Sequence, residues 1–340
     1  MFTYFHLLLT SLVIITDAAV LSASLPFSET SSLSVPLKIC QFADLHYGEA
    51  PNRVWGPQQD RNSTRVMNNV LIAEQPDLVV FTGDQITGNN IVDNATDVLR
   101  EVFSVVESFG IPFSSIFGNH DDLKLDPPPS RDSITSRSAL LAFEKATWPK
   151  LSRTCQNGCP DDLLPSVSNY YQLVTDTSGK PLLALYFLDS GGGSYDETLF
   201  ANITDWLEST ILTLRNLPSL TFVHIPTPQY VDASTSKDCV GMMSDGITPT
   251  VGQNNLIQVL SNTGTARGVF TGHDHGNAWC CPLLSLSLCF GRHTGYGGYG
   301  EWSRGSRVIE ITQNTTARDG IEIKTYIRME DNSTNSLQWL

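Results

Sequence analysis

Five apolar runs in this chain each end, within a few residues, in an aspartate, asparagine or histidine. They are ICQFADLH (Asp44, His46), LVVFTGD (Asp84), FSSIFGNHD (Asn119, His120), LTFVHIP (His224) and VFTGHDHG (His273, His275). Each run is short and rich in β-branched or aromatic residues, which predicts a buried strand. Between the runs lie stretches with apolar residues at helical spacing. Val66, Met67, Val70 and Leu71 mark a helix over 61–74, and Val98, Leu99, Val102, Phe103, Val106 and Phe109 mark another, closed by Gly110 and Pro112. Strands that alternate with helices predict an α/β layered fold. In such sheets ligands bind beyond the carboxyl ends of the strands, where all five runs terminate.

The remaining pattern fills in the same architecture. Strands are predicted over 37–42, 78–82, 112–117, 182–188, 220–224 and 268–271, with antiparallel strands over 308–311 and 321–327. An amphipathic helix is expected around 199–214 and a shorter one near 256–260. A Pro-rich loop with helical pieces runs through about 165, and a long loop carries Cys239. No internal repeat interrupts the chain, which divides into an apolar leader (1–23), a Ser- and Pro-containing linker (24–36), one domain (37–330) and a short tail (331–340).

Taken singly, each polar strand end has an ordinary explanation. Asp44 could cap a turn, Asp84 could close a βα turn, Asn119 and His120 could sit in a tight turn after Gly118, and His224 could be a satisfied core histidine. Their joint occurrence cannot be assigned to five unrelated turns. Asp44 and His46 stand at i and i+2, one face of a regular strand. Clustered polar ligands at strand ends mark a functional site. A thiolate-free set of nitrogen and oxygen donors with several histidines suits zinc, manganese or iron better than magnesium or calcium.

The bulk properties narrow the partners. The 340 residues carry a formal charge of −14, which argues against nucleic acid or an anionic membrane surface, since both attract a positive field. The run LLLTSLVII at 7–15 is too short to span a bilayer and, with small residues after it, reads as a signal-peptide core. Five sequons, at Asn62, Asn94, Asn202, Asn314 and Asn332, then predict N-glycans. Of seven cysteines, Cys40 lies in the first strand and is expected to be a buried free thiol. The other six (Cys155, Cys159, Cys239, Cys280, Cys281, Cys289) fall in loop-like sequence and allow fifteen pairings. They do not form two CxxC pairs, so disulfides in an oxidising compartment are expected ahead of a cysteine-rich zinc site. The expected destination is the secretory pathway, extracellular or in the vacuolar lumen.

The order D-x-H, G-D, G-N-H-D, H, G-H-x-H resembles the calcineurin-like metallophosphoesterases. The segments ADLHYGE, FTGDQITGNN, FGNHDD, HIPTPQY, GHDHGNAWCC and CFGRHTGYGGYGEWSRGSRVIEI are similar to a purple-acid-phosphatase-like branch often labelled "probable inactive". The resemblance spans about residues 36–312 and implies a β-sandwich of two mixed sheets flanked by helices. It also implies two metal ions. One would take Asp44, His46, Asp84 and His275, and the other Asp84, Asn119, His224 and His273. Such a pair, about 3.5–4 Å apart, supports in-line attack of a metal-bridging hydroxide on a phosphomonoester, with His120 protonating the leaving group. The chain departs from authentic purple acid phosphatases in having His46 where they have glycine, and Thr87 where they have the tyrosine that colours them. A colourless protein is expected, with His46 supplying a ligand.

His293 and Arg292, in the glycine-rich stretch, are candidates to contact the substrate phosphate. Arg304 and Arg307 read as structural partners of the surplus carboxylates. Asp121 and Asp122 could orient His120 or cap a turn. A phosphodiesterase with the same metal site is the alternative within catalysis, and a catalytically silent metal-binding regulator the alternative outside it.

Overall fold

The alternation of strands and helices resolves into two six-stranded sheets packed face to face, with helices on both outer surfaces. The computed structural model describes residues 36–340 except 92–93, 123–135, 157–158, 161–162, 164–165, 177, 253, 315 and 318. The expected leader and nearly all of the linker lie outside the described residues. The strands are β1 (Leu37–Phe42), β2 (Leu78–Thr82), β3 (Phe113–Ile116), β4 (Tyr170–Thr175), β5 (Pro181–Leu188), β6 (Ser219–Val223), β7 (Ala266–Thr271), β8 (Cys280–Leu283), β9 (Leu286–Phe290), β10 (Gly305–Gln313), β11 (Ile321–Met329) and β12 (Thr334–Trp339). The helices are α1 (Trp55–Glu74), α2 (Ala95–Ser108), α3 (Arg137–Thr147), α4 (Ala201–Thr213), α5 (Gln229–Ala233) and α6 (Leu256–Thr263).

One sheet has the order β12-β11-β10-β1-β2-β3 and the other β4-β5-β6-β7-β9-β8. Both are mixed. β1, β2 and β3 run parallel, as do β5, β6, β7 and β9, while the remaining pairs are antiparallel. The period of two along a strand assigns the faces. Ile39 and Val80 point into the inter-sheet core beside Leu185, Phe222 and Phe270. Their neighbours Cys40, Phe42, Val79 and Phe81 pack outward against α1 and α2. Leu188, Val223 and Leu288 cover the opposite surface under α4 and α6. Between the sheets, Tyr170, Phe187, Phe222 and Phe270 form a ring stack with centroids 4.5, 5.2 and 5.5 Å apart.

Two expectations need correction. Three cysteines read as loop residues stand on strands, Cys280 and Cys281 on β8 and Cys289 on β9. The disulfides are Cys155–Cys159, Cys239–Cys281 and Cys280–Cys289. Cys280 and Cys289 lie directly opposite in the β8–β9 register, so that bond closes a hairpin. Cys40 is a buried free thiol, its pKa pushed up by burial. The stretch read as a tail carries β12, which pairs with β11, because a sheet edge can be extended through backbone bonds that need no apolar pattern. Among the described residues no helix is long and apolar enough to cross a membrane.

Candidate metal centre

Every ligand-bearing segment leaves the carboxyl end of a parallel strand, and the two sheets deliver them to one place. β1 runs into Asp44 and His46, β2 into Asp84, and β3 into Asn119 and His120. From the other sheet, β6 runs into His224 and β7 into His273 and His275. Asp44, His46 and His275 form one group, and Asp84, His224 and His273 another, each with its donor atoms within 4.8 Å of one another. Asn119 Oδ1 lies 3.0 Å from both His224 Nε2 and His273 Nδ1. Asp84 Oδ2 lies 3.2 Å from His224 Nε2 and 3.6 Å from His46 Nε2, so its carboxylate faces both groups.

The turns that deliver these side chains are unusual. Asp44, His46, Asp84 and His273 all have positive φ, between 51° and 74°. Backbone bonds hold this geometry. Asp44 N–H donates to Gly83 O at 3.2 Å, and His46 N–H to Asp84 O at 2.9 Å. The Asp121 carboxylate receives the N–H groups of Gly118 (2.7 Å), Asp84 (3.0 Å) and Ile86 (3.1 Å). Asp121 is thus a brace for the loops, and Asp122 pairs with the buried Arg137 at 3.0 Å.

The imidazoles fix what this cluster can bind. His224 Nδ1 donates to the Thr82 carbonyl and His275 Nδ1 to the Tyr299 carbonyl, both at 2.8 Å. A carbonyl only accepts, so in a neutral ring each Nε2 carries a lone pair. For His224 that lone pair faces Asp84 Oδ2 and Asn119 Oδ1. For His275 it faces His46 Nε2 at 3.2 Å and Asp44 Oδ1 at 3.9 Å. In neutral rings these nitrogens, with the carboxylate and amide oxygens they face, make a buried set of electron-pair donors that fits a pair of metal ions.

Burial, with Asp84 nearby, pushes Asp44 up to about 7. Burial also opposes ionisation of Asp84, but the His224 and His120 imidazoles hold it well below the usual carboxylate range. Burial lowers His224, yet the Asp84 carboxylate outweighs it and raises this ring to about 9. Burial drives His273 down to about 3 and His275 to about 4. Burial and His275 hold His293 well below the ordinary imidazole value.

The site opens into a cavity of about 470 Å³ lined by His46, Asp84, His120, His273 and His275, with Glu49, Thr87, Asn89, Asn90, Thr248, Asp274, Gly298 and Tyr299 completing the wall. Neither His293 nor Arg292 is on that wall. Arg292 is buried, and its guanidinium donates to the Ser303 carbonyl and the Met242 sulfur. The geometry gives it a structural role in place of the expected contact with substrate. His293 lies behind His275, with ring centroids 3.9 Å apart and Nε2 on the Gly297 carbonyl. The guanidinium groups of Arg304 and Arg307 also donate to backbone carbonyls, while the Arg304 backbone N–H donates to the Glu330 carboxylate. The wall residues Glu49, Thr248, Asp274 and Tyr299 escaped the sequence reading. Only the glycines around Tyr299 hinted that a backbone passes close to the ligands there.

The sequence model of the calcineurin-like phosphoesterase family matches residues 37–277. The chain is 28% identical over 324 residues to probable inactive purple acid phosphatase 28 of Arabidopsis thaliana, covering 86% of this chain and 80% of that protein. It is 29% identical over 310 residues to phosphatase DCR2 of Saccharomyces cerevisiae, covering 82% of this chain and 52% of that one. In fold it is similar to a dimetal phosphatase from Danio rerio, with TM-score 0.59 and 14% identity over 90% of this chain and 98% of that chain. It is also similar to the purple acid phosphatase PPD1 of yellow lupin, with TM-score 0.53 and 13% identity over 89% of this chain and 53% of that chain. With its ligand-type residues at the ends of parallel strands in both sheets, the chain belongs to the calcineurin-like phosphoesterase family.

Proposed function

We propose that the chain is a secreted or lumenal phosphatase that hydrolyses phosphomonoesters at a dinuclear centre of zinc, manganese or iron. The observation that carries this reading is the pair of adjacent ligand groups, with the Asp84 carboxylate facing both, beside one open cavity that has His120 on its wall. Asp44, His46, Asp84 and His275 would hold one ion, and Asp84, Asn119, His224 and His273 the other. When bound, such ions lower the pKa of a coordinated water and neutralise phosphoryl oxygens. The described part of the wall has no lysine or arginine, so phosphate charge falls to the ions and the imidazoles.

His120 is the proton donor to the leaving alcohol. Its N–H donates to Asp84 Oδ1 at 2.7 Å, and its ring meets His46 edge-on with centroids 4.9 Å apart. Its position is therefore tied to the ligand shell while its side chain lines the opening. The relatives named inactive do not decide the matter for this chain, which has a ligand-type side chain at every position of the set. Three disulfides and five sequon asparagines, none of them buried, support an oxidising, glycosylating compartment.

Hydrolysis of a monoester and a bis-ester, measured side by side with each metal from acid to neutral pH, tests the reading. Dominant monoester turnover abolished by a chelator is expected. His120→Gln should lower kcat by about 10²- to 10⁴-fold with bound metal unchanged. Dominant bis-ester turnover would make the chain a phosphodiesterase. No turnover in a protein holding two metals would favour a regulatory role.

A further inference from the structure

The two halves of the centre are supported in different ways. On one side His224 leans on the sheet itself, its Nδ1 held by the carbonyl of Thr82, the last residue of β2. On the other side His275 leans on the loop between β9 and β10, and on Tyr299 in particular. Tyr299 makes three contacts with that one histidine. Its carbonyl accepts from His275 Nδ1 at 2.8 Å, and its phenol oxygen accepts from His275 N–H at 3.0 Å. Its ring lies nearly parallel to the imidazole at 13°, with centroids 4.0 Å apart. The His293 ring also packs against this imidazole, tilted by 38° with centroids 3.9 Å apart.

The loop is in turn tied to its surroundings from both ends. Tyr299 O–H donates to Asp245 Oδ2 at 2.5 Å, and Asp245 also receives Gly276 N–H at 3.2 Å. Gly298 N–H donates to Glu49 Oε2 at 2.9 Å, and Arg304 Nη2 donates to the Gly300 carbonyl at 2.8 Å. Gly298 itself passes so close that a Cβ there would meet His275 Cε1 at 2.5 Å and His46 Cδ2 at 2.8 Å. Tyr299 nevertheless remains 49% exposed at the cavity mouth.

We infer that Tyr299 is a positioning residue for the Asp44–His46–His275 half of the centre, and that this half releases its metal more readily than the half anchored on the sheet. The inference rests on the dinuclear reading but not on the activity. Outer partners that fix a ligating imidazole are worth about 10- to 100-fold in metal affinity. Tyr299→Ala keeps the backbone carbonyl but removes the stacking ring and the phenol that fixes the loop to Asp245. Tyr299→Phe keeps the ring and the carbonyl and removes only the phenol.

The test is metal content, counted by elemental mass spectrometry during titration with a competing chelator, beside thermal unfolding. The parent protein is expected to lose its two equivalents in two steps. Tyr299→Ala should shift only the first step, by about 10- to 100-fold, and Tyr299→Phe should shift that step less. Asp245→Ala, which cuts the tie from outside the ring stack, should act in the same direction as Tyr299→Phe. A single release step in the parent, or identical release curves for parent and Tyr299→Ala, overturns the inference. A parent with two-step release that hydrolyses no ester would overturn the phosphatase reading and leave this one standing.

Discussion

Asp44, His46, Asp84 and His273 each sit at a positive φ, a conformation that costs a non-glycine residue about 1–3 kcal/mol. Four such residues in one shell stay there only because neighbouring backbone bonds over-determine them. One glycine beside them is as tightly used. Gly83 has φ +98°, and a Cβ there would meet His224 Nδ1 at 2.4 Å and Gly118 Cα at 2.8 Å. The latter is backbone and cannot swing aside. Gly83→Ala is therefore expected to break the His224–Thr82 bond, to destabilise the fold by more than about 1 kcal/mol and to reduce bound metal. Denaturant unfolding and metal analysis check both parts, and a variant with parental stability and two metals would contradict the packing argument.

At the scale of elements, α1 is tied to the sheet by its last residue. Glu74 accepts from Lys38 Nζ at 2.9 Å on β1, and from Tyr326 Oη at 2.7 Å and Arg328 Nε at 2.5 Å on β11. Burial pushes this carboxyl up, but the Lys38, Tyr326 and Arg328 bonds prevail and hold it below its ordinary value of 4.5. A depressed carboxylate contributes stability that is complete above the unfolded value and lost as pH falls through the folded one. The unfolding free energy of the parent should therefore decline below about pH 5. Glu74→Gln should be less stable at neutral pH and show a shallower acid decline, and parallel acid limbs would refute the assignment. The elements also show what the residue pattern can reveal. β1 and β2 fall at 37–42 and 78–82, where apolar runs alone predict them. β8 carries Pro282 and paired cysteines, and β12 reads TNSLQW, so neither shows the alternation that marks a strand. Cysteine pairing was out of reach for the same reason, because Cys280 meets Cys289 only through a hairpin register. The ligand-type residues were legible because strand ends announce themselves, whereas Tyr299 and Asp245 meet across 54 residues of chain.

Across the whole molecule, the centre draws on both sheets, β1, β2 and β3 from one and β6 and β7 from the other. Polar ties also join the sheets elsewhere, among them Tyr170 Oη to the Ser115 carbonyl at 2.8 Å and Gln172 Nε2 to Ser114 Oγ at 2.7 Å. Gln41 Nε2 reaches the Thr271 carbonyl at 3.1 Å, and Arg307 Nε reaches the Phe290 carbonyl at 2.7 Å. Ions held by residues of both sheets would add to these ties. They would also engage the imidazole and carboxylate donors that the centre gathers in a buried space. A ligand that binds only the folded chain stabilises it by about 2.7 kcal/mol per site at a hundredfold excess over its Kd. Thermal unfolding should therefore shift downward on chelation and recover when zinc or manganese is restored, and an unchanged Tm would argue against metal bridging of the sheets. The consequence reaches past catalysis. A metal centre on the seam between two sheets would make the survival of the protein depend on metal supply, since chains that open more often are the ones proteases remove. Metal scarcity would then act on abundance before it acted on turnover.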